Sequence, residues 1–368
     1  MPRPSHRGRP PRVRRVAKRV LIGVLVFVVA ITTALYLVIK HLEGNIKSVD
    51  LSGETGPAPT KVVDKAINVL VMGDDTRKGQ GPAIGGSTPG LSDTTILLHL
   101  SADRKFAYGV SLPRDAMVER PQCKTRTGTA AAGLTQFNAA YAIGGPACTI
   151  KMVQQLTGIK VDHYVVIKFK GFRSMVDAIH GVKICVPEQI SDPQSNIYFK
   201  PGTYTVSGEQ ALNYVRVRHG VGDGSDLGRM KRQQAFIASL INKVVSAGTL
   251  ANPITLYKFL DAATKSIQTD PGFSSLSALV SIGRSLQHIG LDHVKFISVP
   301  YEAYPPDPNR VQWAPAADQL WKLMLNDKRL TKSLQSGVVK ASNTPGSKKK
   351  KKATAEEQAQ AEQVGLCS

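Results

Sequence analysis

INVLVMGDDTR (67–77), LSDTTILLHL (91–100) and FAYGVSLPRD (106–115) decide the fold. Each holds a short aliphatic run bounded by acidic, Gly or Pro residues, the mark of buried strands that end in turns. Strands are predicted at 67–72, 94–100 and 106–112, the last two joined by a turn at 102–105 and paired as a hairpin. The stretch 78–91 between the first two is rich in Gly and Pro and reads as a loop. Downstream, helical and strand patterns alternate. Helices are predicted at 146–157, 172–179, from the capping-box spacing Ser207–Gln210 toward Tyr214, and at 230–245, 253–265 and 274–288. Strands are predicted at 164–169, 182–186 and 294–299. Such alternation buries best as an α/β fold, a single three-layer α/β/α domain around a central mixed sheet.

The run 20–39, VLIGVLVFVVAITTALYLVI, carries no charge. About 20 apolar residues at 1.5 Å rise cross a hydrocarbon core of about 30 Å. Lys40-His41-Leu42-Glu43 follows without a small-x-small cleavage signal, so an uncleaved transmembrane helix is predicted in preference to a signal peptide. The formal net charge of +21 invites a nucleic-acid reading, but residues 1–19 alone hold eight Lys or Arg and no acid, beside the apolar run. That is the flank expected on the cytoplasmic side of a membrane segment, which places the bulk of the chain outside the cell with no nucleic acid as partner. The expected organisation is a basic cytoplasmic tail (1–19), a transmembrane helix (20–40), a Gly/Pro-containing linker (41–65), a folded domain (66–335) and a charged, low-complexity disordered tail (336–368). An outside location permits disulfides. Cys123 and Cys148 flank a loop-rich stretch and are expected to bridge, with Cys185 buried in or beside a strand and the partners of Cys185 and Cys367 left open.

Chemistry concentrates in three patches. Gly73-Asp74-Asp75-Thr76-Arg77 follows a strand, where α/β proteins place ligands. Asp93 opens the second strand and Arg114 closes the third, so a hairpin brings them to one end. Asp75 and Asp93 together offer the hard oxygen ligands that a divalent cation takes. The third patch, RVRHGVGDGSDLGRMKRQQ (216–234), sets Arg216 and Arg218 before a Gly-rich loop and Arg229 in the first turn of a helix, with Gln233 one turn on. Free N–H groups at a helix start, with guanidinium forks beside them, suit phosphate. Walker A spacing and a nucleophilic triad are both missing, so the inferred chemistry is phosphoryl transfer by positioning and charge stabilisation.

NVLVMGDDTR, LSDTTILL, VSLPRD, FNAAYAIGGP, GEQALNYVRVRH and SDLGRMKRQQ, in this order over residues 65–335, resemble the motifs of the LytR-CpsA-Psr family, in its actinobacterial form. The resemblance implies a membrane-anchored enzyme. Such an enzyme binds a polyprenyl-pyrophosphate-linked glycan in an apolar pocket. It transfers the glycan phosphate to peptidoglycan as a phosphodiester and releases polyprenyl phosphate, with Mg2+ assisting. By motif it implies Asp75 and Asp93 for the metal, and Arg77, Arg114, Arg216, Arg218, Arg229 and Gln233 for the pyrophosphate. Asp226 would orient the arginines, and Asp93, Arg114 and Arg218 would be catalytic. The rival readings are a membrane-anchored transcriptional attenuator and a non-catalytic wall- or lipid-binding protein. A Pro-rich tail of about 19 residues cannot supply a helix-turn-helix, and a binding module does not need acids and arginines converging on one anion.

Overall fold

A computed structural model describes residues 11–74, 92–193, 197–217, 226–245, 249, 252–335, 338–342 and 345, without the side chains of 11–14, 226 and 227. Its elements are, in chain order, α1 (Pro11–Asn45), β1 (Lys47–Ser48), α2 (Ser52–Thr55), β2 (Ile67–Asp74), β3 (Ser92–Leu100), β4 (Ala107–Leu112), β5 (Met117–Arg120), β6 (Cys123–Thr125), β7 (Gly128–Ala130) and β8 (Gly133–Gln136). They continue with α3 (Ala139–Thr157), β9 (His163–Lys168), α4 (Phe169–Ala178), β10 (Val182–Val186), β11 (Ile190–Asp192), β12 (Ile197–Phe199), β13 (Gly202–Val206), α5 (Gly208–Arg216) and α6 (Asp226–Val245). The remainder are α7 (Pro253–Ser266), β14 (Ile267–Thr269), α8 (Leu276–Ile289), β15 (Val294–Ser298), β16 (Tyr301–Ala303), β17 (Val311–Trp313), α9 (Ala316–Leu325) and β18 (Val339–Lys340).

Among the described residues eight strands form one mixed sheet in the order β1-β14-β9-β2-β3-β4-β15-β18. The predicted hairpin is present, Thr95 opposite Leu112 and Leu100 opposite Ala107, and β2 joins it antiparallel to β3. β9 runs parallel to β2 and β15 parallel to β4. Both require crossovers, which the helices supply. Leu70, Met72, Leu97, Tyr108 and Val110 bury one sheet face against α3 and α9, with Met152, Val153, Leu320 and Trp321 opposite them. On the other face Phe296, Leu100 and Val294 meet α6 and α8 through Ala235, Ala238 and Leu286. Gly109 is required there, since a Cβ on it would lie 2.5 Å from the Phe296 ring. Along the central strands this second face is only half covered. Ile67, Val71, Leu98 and Ile167 are partly exposed and look toward Leu279 and Ile282 of α8. An aliphatic surface in the middle of a wide sheet is normally sealed, so the core is open on this side.

Three local features differ from expectation. The predicted helix at 146–157 is the second part of α3, which begins at Ala139 and kinks at Gly144 and Gly145, Gly145 at φ +63°. Pro146 needs no donor partner at the restart. The strand at 182–186 does not join the main sheet; β10 pairs with β13 as a separate ribbon that packs on α4, α5 and Phe236 of α6. The segment 41–65 is seated along the domain rather than free. Leu42 is buried, β1 pairs with β14, Val49 accepts a hydrogen bond from Tyr164 Oη at 2.8 Å, and Lys61 binds Asp162 at 2.8 Å. Its Gly and Pro residues bend a path that backbone pairing and charge then fix. Cys123 and Cys148 are bridged, with Cα atoms 5.4 Å apart. Cys185 lies buried in β10 and is also disulfide-bonded.

Candidate active site

The antiparallel β2-β3-β4 meander carries the end of β2, the start of β3 and the end of β4 to one edge of the sheet, and parallel β9 ends there too. This edge gathers Asp74, Asp93 and Arg114, together with Phe169, which opens α4. Asp93 Oδ1 accepts a 2.7 Å bond from Arg114 Nη1, and Asp93 Oδ2 faces Arg229 Nη1 at 3.9 Å. Asp115 holds Arg114 from its other side, its Oδ2 3.3 Å from Arg114 Nε, and meets Arg310 Nη1 at 3.4 Å. Opposite charges thus alternate from Arg310 through Asp115, Arg114 and Asp93 to Arg229. Asp93, Arg114 and Arg229 are largely shielded from water, with Arg229 only 3% exposed, whereas Arg310 at the far end is 34% exposed, so the inner pairs are attenuated less than surface ion pairs.

Helix α6 delivers Arg229 in its first turn. The reason it sits there is Gln234, whose Nε2 donates to Ser111 Oγ at 2.9 Å and Ser298 Oγ at 3.0 Å and so ties the helix to β4 and β15. Arg232 Nη2 donates to the Val217 carbonyl at 2.6 Å, and Gln233 Nε2 to the Val215 carbonyl at 3.1 Å. Both lock α6 to the end of α5. The Ser207–Gln210 capping box starts α5 as predicted, and Arg216 is its last residue, with its guanidinium 5.0 Å from the centre of the Phe169 ring. Arg216 therefore closes α5 and stands at the same sheet edge as Asp93.

Of the predicted site residues, Asp93, Arg114, Arg216, Arg229 and Gln233 are brought to this edge; Gln233 does so with its amide nitrogen on backbone. Asp75, Arg77, Arg218 and the side chain of Asp226 lie outside the described residues. Sequence reasoning passed over Asp115, Tyr141 and Arg310. Asp115 and Tyr141 fall inside the motifs VSLPRD and FNAAYAIGGP, whereas nothing around Arg310 marks it. Burial first, and then the neighbouring Asp74 carboxylate, push the Tyr141 phenol far above its ordinary range. Tyr141 therefore keeps its O–H even at alkaline pH, beside the Asp74 carboxylate. His163 serves structure, its Nδ1 3.0 Å from Asp270 and its ring stacked on Phe273.

A guanidinium has five donors in a planar fork, so arginines aligned by one carboxylate, above a helix start, form a receptor for a phosphate-like anion. Asp93 supplies a hard oxygen of the kind Mg2+ takes, and Mg2+ commonly needs only one or two carboxylates besides substrate phosphates. The donor chemistry fits that ion, although among the described residues no cluster of three or more His, Cys, Asp or Glu would hold a metal by itself.

Residues 35–329 match the profile of the LytR_cpsA_psr family. The chain is 30% identical over 314 residues to cell wall biosynthesis protein LcpA of Corynebacterium glutamicum, covering 77% of this chain and 60% of that protein. It is 30% identical over 270 residues to the polyisoprenyl-teichoic acid–peptidoglycan teichoic acid transferase TagV of Bacillus subtilis, covering 70% and 64%. The chain thus spans under two thirds of the length of these relatives. Among solved structures, a LytR-Csp2A-Psr enzyme from Actinomyces oris superposes with a TM-score of 0.60 at 20% identity, over 76% of this chain and 95% of that one, which shows the shared fold.

Proposed function

The chain belongs to the LytR-CpsA-Psr family, and we propose that it transfers a glycan phosphate from a polyprenyl-pyrophosphate-linked donor to peptidoglycan. A hydroxyl of the acceptor attacks the glycan-bearing phosphorus, a phosphodiester forms, and polyprenyl phosphate departs. One observation carries this reading: Asp93 aligns Arg114 and Arg229 at the sheet edge that terminates the half-open aliphatic face of Val71, Leu98 and Ile167. An anion receptor beside a greasy cleft has the two halves that a lipid pyrophosphate needs. Related transferases named for polyisoprenyl-linked teichoic acid support the donor class.

Arg114, Arg216 and Arg229, with Arg77 and Arg218, bind the pyrophosphate oxygens and gain strength as charge builds on the leaving phosphate. Gln233, Gln234 and Arg232 keep Arg229 in place. Asp226 joins Asp93 in orienting the arginines. Tyr141 offers a neutral O–H. Asp93 and Asp75 would hold Mg2+, which when bound neutralises phosphate charge. Positioning and charge supply the acceleration, as elsewhere in phosphoryl transfer.

Topology agrees with a lipid donor. β14 runs antiparallel to β9, and β1 parallel to β14, so β1 enters the sheet from the edge that carries Asp93. Helix α1, long and apolar enough to cross a membrane, therefore joins the domain on the site's side. The basic residues 1–19 stay cytoplasmic and the domain lies outside. The test is purified full-length protein in detergent with a polyprenyl-pyrophosphate glycan and peptidoglycan. Polyprenyl monophosphate and wall-bound glycan should appear together, depend on Mg2+, and be lost in Arg218→Ala. Intact donor after incubation with folded protein would overturn the assignment.

A further inference from the structure

Helices α1 and α7 run side by side in the same direction. His41 Nε2 lies 3.2 Å from Asp261 Oδ1, and Asn45 Nδ2 reaches Thr264 Oγ1 at 3.4 Å. Just after, Lys47 and Ser48 pair in parallel with Gln268 and Thr269. The sequence separation is 220 at His41–Asp261 and 219 at Asn45–Thr264, so the two stretches advance together. Following α7 backward from Asp261 then leads toward the apolar run of α1, which ends at Ile39. Ile254 precedes Asp261 by about 10 Å along the helix axis at 1.5 Å per residue. That carries it past the level of His41 and toward the level of the span.

Ile254, the Tyr257/Lys258 pair and Asp261 lie at helical spacing on one face, the face that meets α1. Ile254 is 67% exposed and Tyr257 40% exposed. Outside α1, only Val62, Leu134 and Tyr198 among the described large apolar residues are similarly exposed, and no two of them share an element. The two on α7 are one turn apart and continuous with the contact to the apolar helix.

We propose that the N-terminal half of α7 is a second membrane-contact element. Ile254 and Tyr257 enter the boundary between lipid headgroups and acyl chains beside α1, and Lys258 meets lipid phosphates. An aliphatic, a tyrosine and a lysine on one exposed helix face match that layer, which takes amphipathic rings and basic tips. Two contacts, in place of a single tethering helix, fix the rotation of the domain about α1 and with it the direction in which the half-open sheet face looks. The inference rests on the reading that α1 spans a bilayer.

The experiment uses full-length protein carrying Ile254→Trp, reconstituted in phosphatidylethanolamine/phosphatidylglycerol vesicles with or without a nitroxide on the upper acyl chain. The unsubstituted chain, which has Trp313 and Trp321, gives the background emission. Val62→Trp is the water-facing control, since Val62 is exposed just before β2, at the other end of the sheet. After subtraction, nitroxide should cut the emission from position 254 roughly by half and leave that from position 62 unchanged, as an interfacial ring requires. Vesicles are first washed at alkaline pH. Protein lost in the wash would remove the spanning reading of α1, and the proposal with it. Protein retained with position 254 no more quenched than position 62 would overturn the α7 contact alone.

Discussion

At the scale of single residues, the site is an argument about charge held in place. Asp93→Asn keeps the shape and one acceptor oxygen but removes the charge that draws Arg114 and Arg229 together. Transfer should fall by about 100- to 1,000-fold, the usual cost of one misplaced transition-state donor, and the unfolding midpoint should drop as well, because the buried Arg114 and Arg229 lose their counter-charge; circular dichroism at the assay temperature checks that the variant is folded. Arg114→Lys should fare no better, because an ammonium cannot bridge Asp93 and Asp115 as a planar fork does. These two residues were legible in the sequence, since a strand pair with an acid at one start and an arginine past the other end must bring them together. Arg310 was not legible, because its contact with Asp115 spans 195 positions and depends on how the β16-β17 hairpin folds back. A second residue-level case concerns stability. Burial pushes the Asp327 carboxyl up, but hydrogen bonds from His99 and the Ala102 N–H outweigh it and hold it below its ordinary 3.8. A depressed folded value means stability that is present above 3.8 and lost as pH falls through the folded value. Asp327 has φ +52°, a conformation that Asn tolerates, so Asp327→Asn removes the charge, and with it one of the two oxygens that accept from His99 and the Ala102 N–H, without straining the backbone. It should cost about 1–2 kcal/mol at pH 7, and the gap to the parent in urea unfolding should narrow progressively as the pH is lowered below 3.8.

At the scale of elements, what the sequence revealed was whatever local chemistry enforces. The strands β2, β3 and β4 appeared because aliphatic runs end in turn formers, and α5 because Ser207 and Gln210 cap each other. Long-range choices were hidden. Nothing in VKICV distinguishes a central strand from β10, whose partner β13 comes after a further hairpin. α9 went unread because its Ala316–Leu325 pattern is short and follows an irregular hairpin. The first turn of α3 was missed because Gly144 and Gly145 interrupt its period. That interruption is structural: a Cβ on Gly144 would sit 2.7 Å from the Lys124 carbonyl, where β6 passes against α3. The Cys123–Cys148 bridge clamps the same crossing and closes a loop of 25 positions containing β6, β7 and β8. Replacing both cysteines with alanine should lower stability by about 2–4 kcal/mol, mainly by freeing the unfolded chain. Denaturant titration against the parent measures it. An unchanged midpoint would mean that the β6–α3 packing suffices alone.

At the scale of the whole molecule, the sheet has a sealed face and an open one, and the difference is where stability and function separate. Leu70, Met72 and Leu97 are fully buried against α3, so enlarging any of them forces strain into a filled core. Val71 and Leu98 belong to the same two strands but face α8 across incompletely covered space. A chain selected for stability alone would close that space, because each buried methylene contributes about 0.8 kcal/mol. Under the proposed function that space is room for a prenyl chain, which would enter from the edge where α1 joins and where Asp93 and its arginines would take the pyrophosphate. Leu98→Phe and Val71→Phe therefore make a directional test. Extra ring volume here should leave the unfolding midpoint equal to or above that of the parent, since it fills space instead of straining a packed site. The same variants should lose transfer from a long-chain polyprenyl donor while retaining it from a donor with one or two prenyl units. That selective loss is set by chain length and leaves the pyrophosphate chemistry untouched. Met72→Phe, on the sealed face, should show the opposite pattern, a lower midpoint by about 1–3 kcal/mol with no discrimination between donors. Equal loss for both donors in Leu98→Phe would place the lipid elsewhere.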